Sequence, residues 1–328
     1  MDRVDVTIVG GGPVGLFGAF YAGMRGMTAR IIDSLPELGG QLVALYPEKY
    51  VYDMPGFPKV LAKDLARGLA EQALQFHAEV VLGETADRLT KDDEGWTVHG
   101  SSGRAFPTRS VIVSAGAGAF EPAKLGVEQE DEFVGKGITY GVQNLVSLAG
   151  KDVIVVGGGD SAFDWALAIE PIAKSTKLLH RRDVFRAHEE TVRAVHSSNV
   201  EICLWEQVKE LHGSPRLESV VVHNSQHKDT KSYACDALVV NVGYKSSLGP
   251  LEGWGMQIEK RQIKVDRMYR TSLPGVFAVG DVCDFEGKIK LIATGVGEVT
   301  TAVCEIKQML DPSAKLFPGH SSDMKIFS

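Results

Sequence analysis

The chain of 328 residues is short of cysteine, with only Cys203, Cys235, Cys283 and Cys304. No two of them form a C-x-x-C pair, so neither a zinc knuckle nor an adjacent redox dithiol is written here. So few scattered thiols fit a reduced, cytoplasmic setting better than a disulfide framework. Positive charge is not in excess either. Lys and Arg number 35 against 42 Asp and Glu, a formal net charge of −7, which gives no overall attraction to nucleic acid or an anionic membrane surface. Low-complexity tracts are absent, and with 23% charged and 44% apolar residues the composition excludes a disordered or collagen-like chain. No signal peptide is expected, because Asp2, Arg3 and Asp5 lead straight into a short apolar run. That run, Val6 to Met24, spans 19 uncharged residues and would catch a hydropathy scan. It is broken by Gly10, Gly11, Gly12, Pro13, Gly15, Gly18 and Gly23, so a strand, a glycine turn and a buried helix explain it better than a membrane span.

Glycine is what the chain has in plenty: 36 residues, about 11% against a usual ~7%. Its placement is informative. Val4–Val9 reads as a strand, followed by glycines, helical sequence to about Gly26 and a second strand at Ala29–Asp33. The pattern returns as Asp152–Val156, glycines 157 to 159, a helical stretch to about Lys174 and a strand at Lys177–His180. Two such βαβ units predict an α/β protein with two Rossmann-like dinucleotide-binding domains. Leu61 to His77 reads as an amphipathic helix, residues near 96–106, 200–223 and 231–241 as strands, and Thr294 to Leu310 as the last long helix. Two further strand-to-glycine signals, Val111–Gly116 and Val276–Asp281, fit a chain that leaves the first domain near Ala117–Glu121 and returns near Gly243–Gly249. The expected division is therefore 1–118 plus 245–328 for the first domain, with 119–244 inserted.

Gly10-x-Gly12-x-x-Gly15 opens the first helix directly after a strand. The first glycine makes the tight turn, the second lets backbone approach a pyrophosphate, and the third packs helix on strand. The helix N-terminus adds free N–H groups and partial positive charge. Asp33 ends the second strand, where a carboxylate receives hydrogen bonds from an adenosine ribose. The second unit carries Gly157-x-Gly159-x-x-Ala162, and its counterpart of Asp33 is His180, followed by Arg181, Arg182 and, one turn on, Arg186. A carboxylate would repel a ribose 2′-phosphate, whereas guanidinium groups pair with it. A charge run of this kind is often only a solvated helix entrance; its position, where cofactor choice is decided, favours NADPH over NADH.

Gly10–Gly15, Gly39-Gly-Gln-Leu42, His180–Ala187 and Pro274–Asp281 together resemble the thioredoxin-reductase-like flavoproteins, in order and spacing over nearly the whole chain. The redox C-x-x-C of thioredoxin reductase is missing, since the matching segment Gly137–Asn144 holds no cysteine. Gly39–Tyr50, Gly158–Ala162 with Asp164–Ala166, and a C-terminal extension with His320-Ser-Ser322 are similar to the ferredoxin–NADP reductases of that type. The resemblance implies FAD contacts at Asp33, Gln41, Tyr46, Ala86, Phe120, Asp281 and Ser322, with Gly280 admitting close backbone approach. It also implies aromatic cover of the flavin by Tyr46 and, from the tail, by His320 or Phe327. FAD and NADP are the implied cofactors, ferredoxin or flavodoxin the implied redox partner, and a homodimer the implied assembly.

No Ser-His-Asp arrangement, metal-ligand cluster or paired carboxylates call for a protein acid, base or metal, so no catalytic side chain is assigned. The alternatives are an NADPH-dependent flavin reductase or oxidase with another acceptor, in which Cys283 keeps a thiol-based variant open, and a non-catalytic flavin redox sensor.

Overall fold

The computed structural model describes residues 2–116 and 118–321. The chain folds as two units, Met1–Ala119 with Ser246–Ser328, and Phe120–Lys245.

In the first unit, strand β1 (Val4–Val9) is followed by helix α1 (Pro13–Met24) and strand β2 (Ala29–Ile32). Five of six β1 residues and all of β2 are buried, as expected of parallel strands covered on both faces; the Val-Asp-Val-Thr alternation that opens β1 leaves only Asp5 partly exposed, and Thr7 is buried. Pro13 sits at the first helical position of α1, where its missing N–H costs nothing. Gly26, at φ +66°, stops the helix in the left-handed conformation. A short helix α2 (Gln41–Ala44) and helix α3 (Ala62–Ala73) come next. In α3 Leu65, Ala66, Leu69 and Ala73 form the buried stripe. Strands β3 (Glu79–Val81), β4 (Ala86–Asp92), β5 (Gly95–Gly100) and β6 (Ala105–Val113) complete the first pass.

In the second unit, strand β7 (Ile138–Thr139) precedes β8 (Asp152–Gly157), helix α4 (Asp160–Ile169) and β9 (Ser175–His180). Helix α4 is shorter than its sequence suggests, ending at Ile169 rather than near Lys174. Pro171 lacks an N–H for the helix ladder, and the residues after it turn back into β9. Helix α5 (Glu189–His196) and strand β10 (Glu201–Leu204) follow, then β11 (Glu206–His212), β12 (Ser219–Asn224), β13 (Thr230–Ala234) and β14 (Ala237–Asn241). The five-stranded sheet runs β7-β14-β8-β9-β10, parallel throughout. Strands β11, β12 and β13 form a separate antiparallel sheet.

The chain re-enters the first unit at Ser246 and there adds β15 (Val276–Ala278) and helix α6 (Ile292–Leu310). That unit's seven-stranded sheet runs β3-β2-β1-β6-β5-β4, with β15 also on β6. One long strand serves two partners on the same side. Ala105–Thr108 of β6 pair antiparallel with β5, and Val111–Val113 pair parallel with β15. Val9, Ile32, Val113 and Ala278 are in register, so the carboxyl ends of β1, β2, β6 and β15 open at one edge. In open α/β sheets this is where ligands bind. One core of this unit lies between the sheet and α1, α3 and α6, and the other against Trp96, Leu251 and Trp254.

Candidate functional site

At the carboxyl edge of the first unit's sheet the glycine turn is shaped residue by residue. Gly10 has φ +110° and a side chain there would strike the Ser114 carbonyl; one at Gly15 would overlap the Gly10 carbonyl oxygen. Gly12 differs: the nearest atom to an added Cβ is the Gly40 Cα, 3.9 Å away, so its exposed backbone faces open room. The Gly39 N–H donates to the Gly11 carbonyl (2.9 Å), joining the Gly39–Gly40 turn to this loop. Ser114 closes it from β6, its hydroxyl donating to the carbonyl of Gly10 at 2.9 Å.

Asp33 stands just past β2, only 8% exposed. Its carboxylate receives the N–H groups of Gly11 (2.5 Å) and Leu35 (2.8 Å). Burial nevertheless raises its pKa, against those two hydrogen bonds. A buried carboxylate lacking a cation gains from hydroxyl donors, and an adenosine ribose has two. Ala86 is buried at the start of β4, on the chain that leaves Asp33 through the Glu84 N–H bond to the Asp33 carbonyl. Gln41 opens α2 with its side-chain amide beside Gly116. Tyr46 packs partly buried on the α1–α3 core, and burial, with Asp281 and Asp53 nearby, raises its phenol pKa.

Beyond β15, Gly280 adopts φ +76°, a left-handed residue that turns Asp281 to the same edge. Burial raises the Asp281 pKa, while Lys288 and Lys290 pull it down. The Glu298 carboxylate of α6 accepts the Gly280 N–H at 2.7 Å and forms an ion pair with Lys288. Cys283 is fully buried and donates to the Gly280 carbonyl at 3.3 Å. Burial pushes its thiol up to about 12, so it offers no thiolate nucleophile at neutral pH and the thiol-based variant loses its footing.

The second unit repeats the plan with different chemistry. An added Cβ at Gly157 would collide with the Asn241 carbonyl and lie 2.7 Å from the Ala162 methyl, while Gly159 has nothing within 4 Å. Ala162 is fully buried, which explains why a methyl, and nothing larger, stands there. The His180 imidazole lies flat against Gly158, where any side chain would strike it. Burial and the two following guanidiniums depress the His180 pKa, so the ring is neutral at pH 7. After it the chain folds back over the turn: Arg186 N–H donates to the Gly158 carbonyl (2.7 Å) and His188 N–H to Asp160 Oδ1 (2.8 Å). Phe185 anchors this loop, its ring 4.8 Å from Phe163 and 5.5 Å from His180. Arg181, Arg182 and Arg186 are left exposed, and among the described residues none of the three has an ion-pair partner.

The structure thus gathers Gly10, Gly12, Gly15, Asp33, Gln41, Gly280 and Asp281 at one sheet edge, and Gly157, Gly159, Ala162, His180 and the three arginines at another. Phe120 lies in a strand, Ala119–Pro122. His320 is exposed with its ring 5.4 Å from Phe317, whereas Ser322 and Phe327 lie outside the described residues. No sequence motif marks Ser114, Lys288 or Glu298. The one signal for them in the chain is a glutamate within the apolar C-terminal helix.

The model of the pyridine nucleotide-disulphide oxidoreductase family matches residues 4–303. A protein of Shouchella clausii named ferredoxin–NADP reductase 2 is 49% identical, over 98% of this chain and 98% of its own. The ferredoxin–NADP reductase of Thermus thermophilus is 45% identical, over 98% and 97%. Among solved structures, the thioredoxin reductase of T. acidophilum is similar with a TM-score of 0.79 at 26% identity, covering 94% of this chain and 99% of that one.

Proposed function

Since this chain belongs to the pyridine nucleotide-disulphide oxidoreductase family, we propose from its two nucleotide-shaped edges that it is a ferredoxin–NADP reductase, with FAD held by the first unit and NADP(H) by the second. The observation that carries the reading is full-length likeness at 45–49% identity to proteins bearing that name. The chain also lacks a cysteine pair: all four thiols are free and buried, so a dithiol relay of the thioredoxin-reductase kind has no residues to run on. A sensor that never turns over would have no use for a second nucleotide edge with unpaired arginines.

Bound FAD would supply the exchange between two-electron hydride chemistry and one-electron transfer that no side chain provides. The protein's own residues bind and orient. Gly10, Gly12 and Gly15 admit the pyrophosphate to the N-terminus of α1, Asp33 accepts the ribose hydroxyls, and Asp281 accepts a ribityl hydroxyl. Gln41 would lie toward the isoalloxazine and Ala86 toward the adenosine, and the resemblance alone carries Phe120 as a FAD contact. Tyr46 supplies a ring for one flavin face. In the second unit Gly157, Gly159 and Ala162 receive the pyrophosphate of NADP, and Arg181 and Arg182, with Arg186 and His180 beside them, receive its 2′-phosphate.

The working assembly is a homodimer in the cytoplasm, the tail of one chain covering the flavin of its partner through His320, Ser322 or Phe327. Support comes from Arg25, which fixes the tail's start at the far end of α1 from the glycine turn by donating to the carbonyls of Lys315 (2.7 Å) and Leu316 (2.9 Å). That end lies about 18 Å from the nucleotide end of a twelve-residue helix, farther than the roughly 13–14 Å that the four residues from Leu316 to His320 can span. Reduced buried thiols fit the compartment, and among the described residues no helix is long and apolar enough to cross a membrane. Light scattering that gives a monomer overturns the assembly.

The function is tested by bleaching the purified protein's flavin with NADPH and following reoxidation in stopped flow. Ferredoxin is expected to restore the oxidised spectrum rapidly and thioredoxin to leave it bleached. A protein that takes up no FAD, or one reoxidised by thioredoxin and not by ferredoxin, overturns the proposal.

A further inference from the structure

The carboxylate of Glu298 and the ammonium of Lys288 form an ion pair in which each side chain is only 4% exposed. Such a pair does little for stability. Removing both charges from water costs several kcal/mol per ion in real proteins, and well-packed apolar residues of similar volume often hold a fold as well or better. The pair therefore calls for another explanation, and its contacts supply one. Glu298 uses one oxygen on Lys288 and the other on the Gly280 N–H at 2.7 Å. The remaining polar group of Gly280, its carbonyl, accepts the Cys283 thiol. Lys288 is held in turn by the Phe285 ring, 5.5 Å from its Nζ. Both backbone groups of a left-handed glycine are thus tied to one buried cluster. The next residue is Asp281, at the ligand edge of the sheet.

We infer that Lys288 and Glu298 are positioning residues for the flavin: the pair locks the Gly280–Asp281 turn in its ligand-binding conformation and, by keeping the buried charge there balanced, sets the electrostatic field in which the flavin is reduced. The inference rests on the reading of this edge as the FAD site. Its logic is one of sign. Reduction adds negative charge to the bound group, so an uncompensated cation nearby favours the reduced form and a balanced pair does not. Because the pair itself is shielded from solvent, the effect is larger than for the same charges in water.

The test is redox titration of the FAD-loaded protein, with wild type, Glu298→Gln, Lys288→Met/Glu298→Gln and Glu298→Leu compared. Glutamine keeps an acceptor for the Gly280 N–H but leaves Lys288 unbalanced, so the flavin midpoint potential of Glu298→Gln is expected to shift upward. The double variant restores neutrality and is expected to return to the wild-type potential. Glu298→Leu removes the acceptor, and its FAD dissociation constant is expected to rise roughly tenfold or more, as for loss of a hydrogen bond to a charged group. Circular dichroism of each variant confirms that the fold is kept. A Glu298→Gln potential equal to wild type, or a double variant no different from the single one, overturns the inference. Should wild type itself bind no flavin, the functional reading fails instead, before any variant is compared.

Discussion

At the scale of single residues, the two nucleotide edges differ most at equivalent strand ends, Asp33 against His180 with the arginines that follow it. Replacing Arg181 and Arg182 by neutral residues is expected to weaken NADPH far more than NADH. Removing one guanidinium from the phosphate costs about 1.5–3 kcal/mol, roughly tenfold to a hundredfold in affinity, and binding titrations with both dinucleotides check it; equal weakening of the two would assign the arginines to the fold. Gly15→Ala places a methyl onto the Gly10 carbonyl oxygen and the Ser114 hydroxyl. Overpacking of this kind costs about 1–3 kcal/mol and deforms the turn, so the purified variant should show a markedly lower flavin-to-protein absorbance ratio. His180 gives a pH dependence. Its folded pKa lies below the unfolded value of about 6.5, so its contribution to stability is complete above that value. As pH falls from about 6.5 toward the depressed folded pKa, the unfolded imidazole takes up a proton that the folded ring resists, and this contribution disappears. Thermal melts between neutral and mildly acidic pH should show a shallower decline for His180→Gln than for wild type.

Among the elements, α1 carries more than its nucleotide end. Its glycines let it lie close to neighbours, as where an added Cβ at Gly18 would sit 2.7 Å from Val299 of α6. At its other end Arg25, 8% exposed, donates to Lys315 and Leu316 and to the Cys304 sulfur. One helix thus bears the glycine turn at its start and fastens the C-terminal extension at its end. Arg25→Ala forfeits two charge-assisted hydrogen bonds, about 1.5–3 kcal/mol each. When opening is fast relative to cleavage, proteolysis follows the population of the open form. The chymotryptic cut rate after Leu316 is therefore expected to rise at least tenfold in this variant, with the rest of the chain as resistant as before; Pro318 protects the bond after Phe317 in both proteins. Unchanged rates would mean that the extension is fastened by other interactions. The same scale explains α4: the sequence reads as helical to Lys174, but Pro171 ends the ladder and the turn after Ile169 delivers the chain to β9.

For the whole molecule, the proposed reading puts FAD in one unit and NADP(H) in the other, joined by chain crossings at 119–120 and 245–246; hydride would then have to pass over a gap of about 3–3.5 Å while an electron carrier is still admitted. Relative motion of the units is the expected solution, since a few residues at such crossings suffice as hinges. A bifunctional cross-link between the units should therefore depress NADPH-to-ferredoxin turnover while leaving FAD bound, and full-rate turnover of the linked protein would count against motion. Much of this organisation is legible in the chain itself. A strand, three glycines and a terminal acid within 30 residues make their site from short-range geometry, because turn conformation, helix start and strand end are consecutive. Repetition of that unit with arginines in place of the acid speaks for the second nucleotide in the same way. What sequence alone leaves hidden is whatever arrives from far along the chain. Ser114 reaches Gly10 only through the pairing of β6 with β1, and β15 joins the first sheet only after more than a hundred residues spent in another unit. Glu298 and Lys288 read in sequence as charges of the sort that face water. Only the packing of α6 against the β15 turn buries them together beneath Asp281, and burial is what turns two ordinary surface charges into a balanced pair.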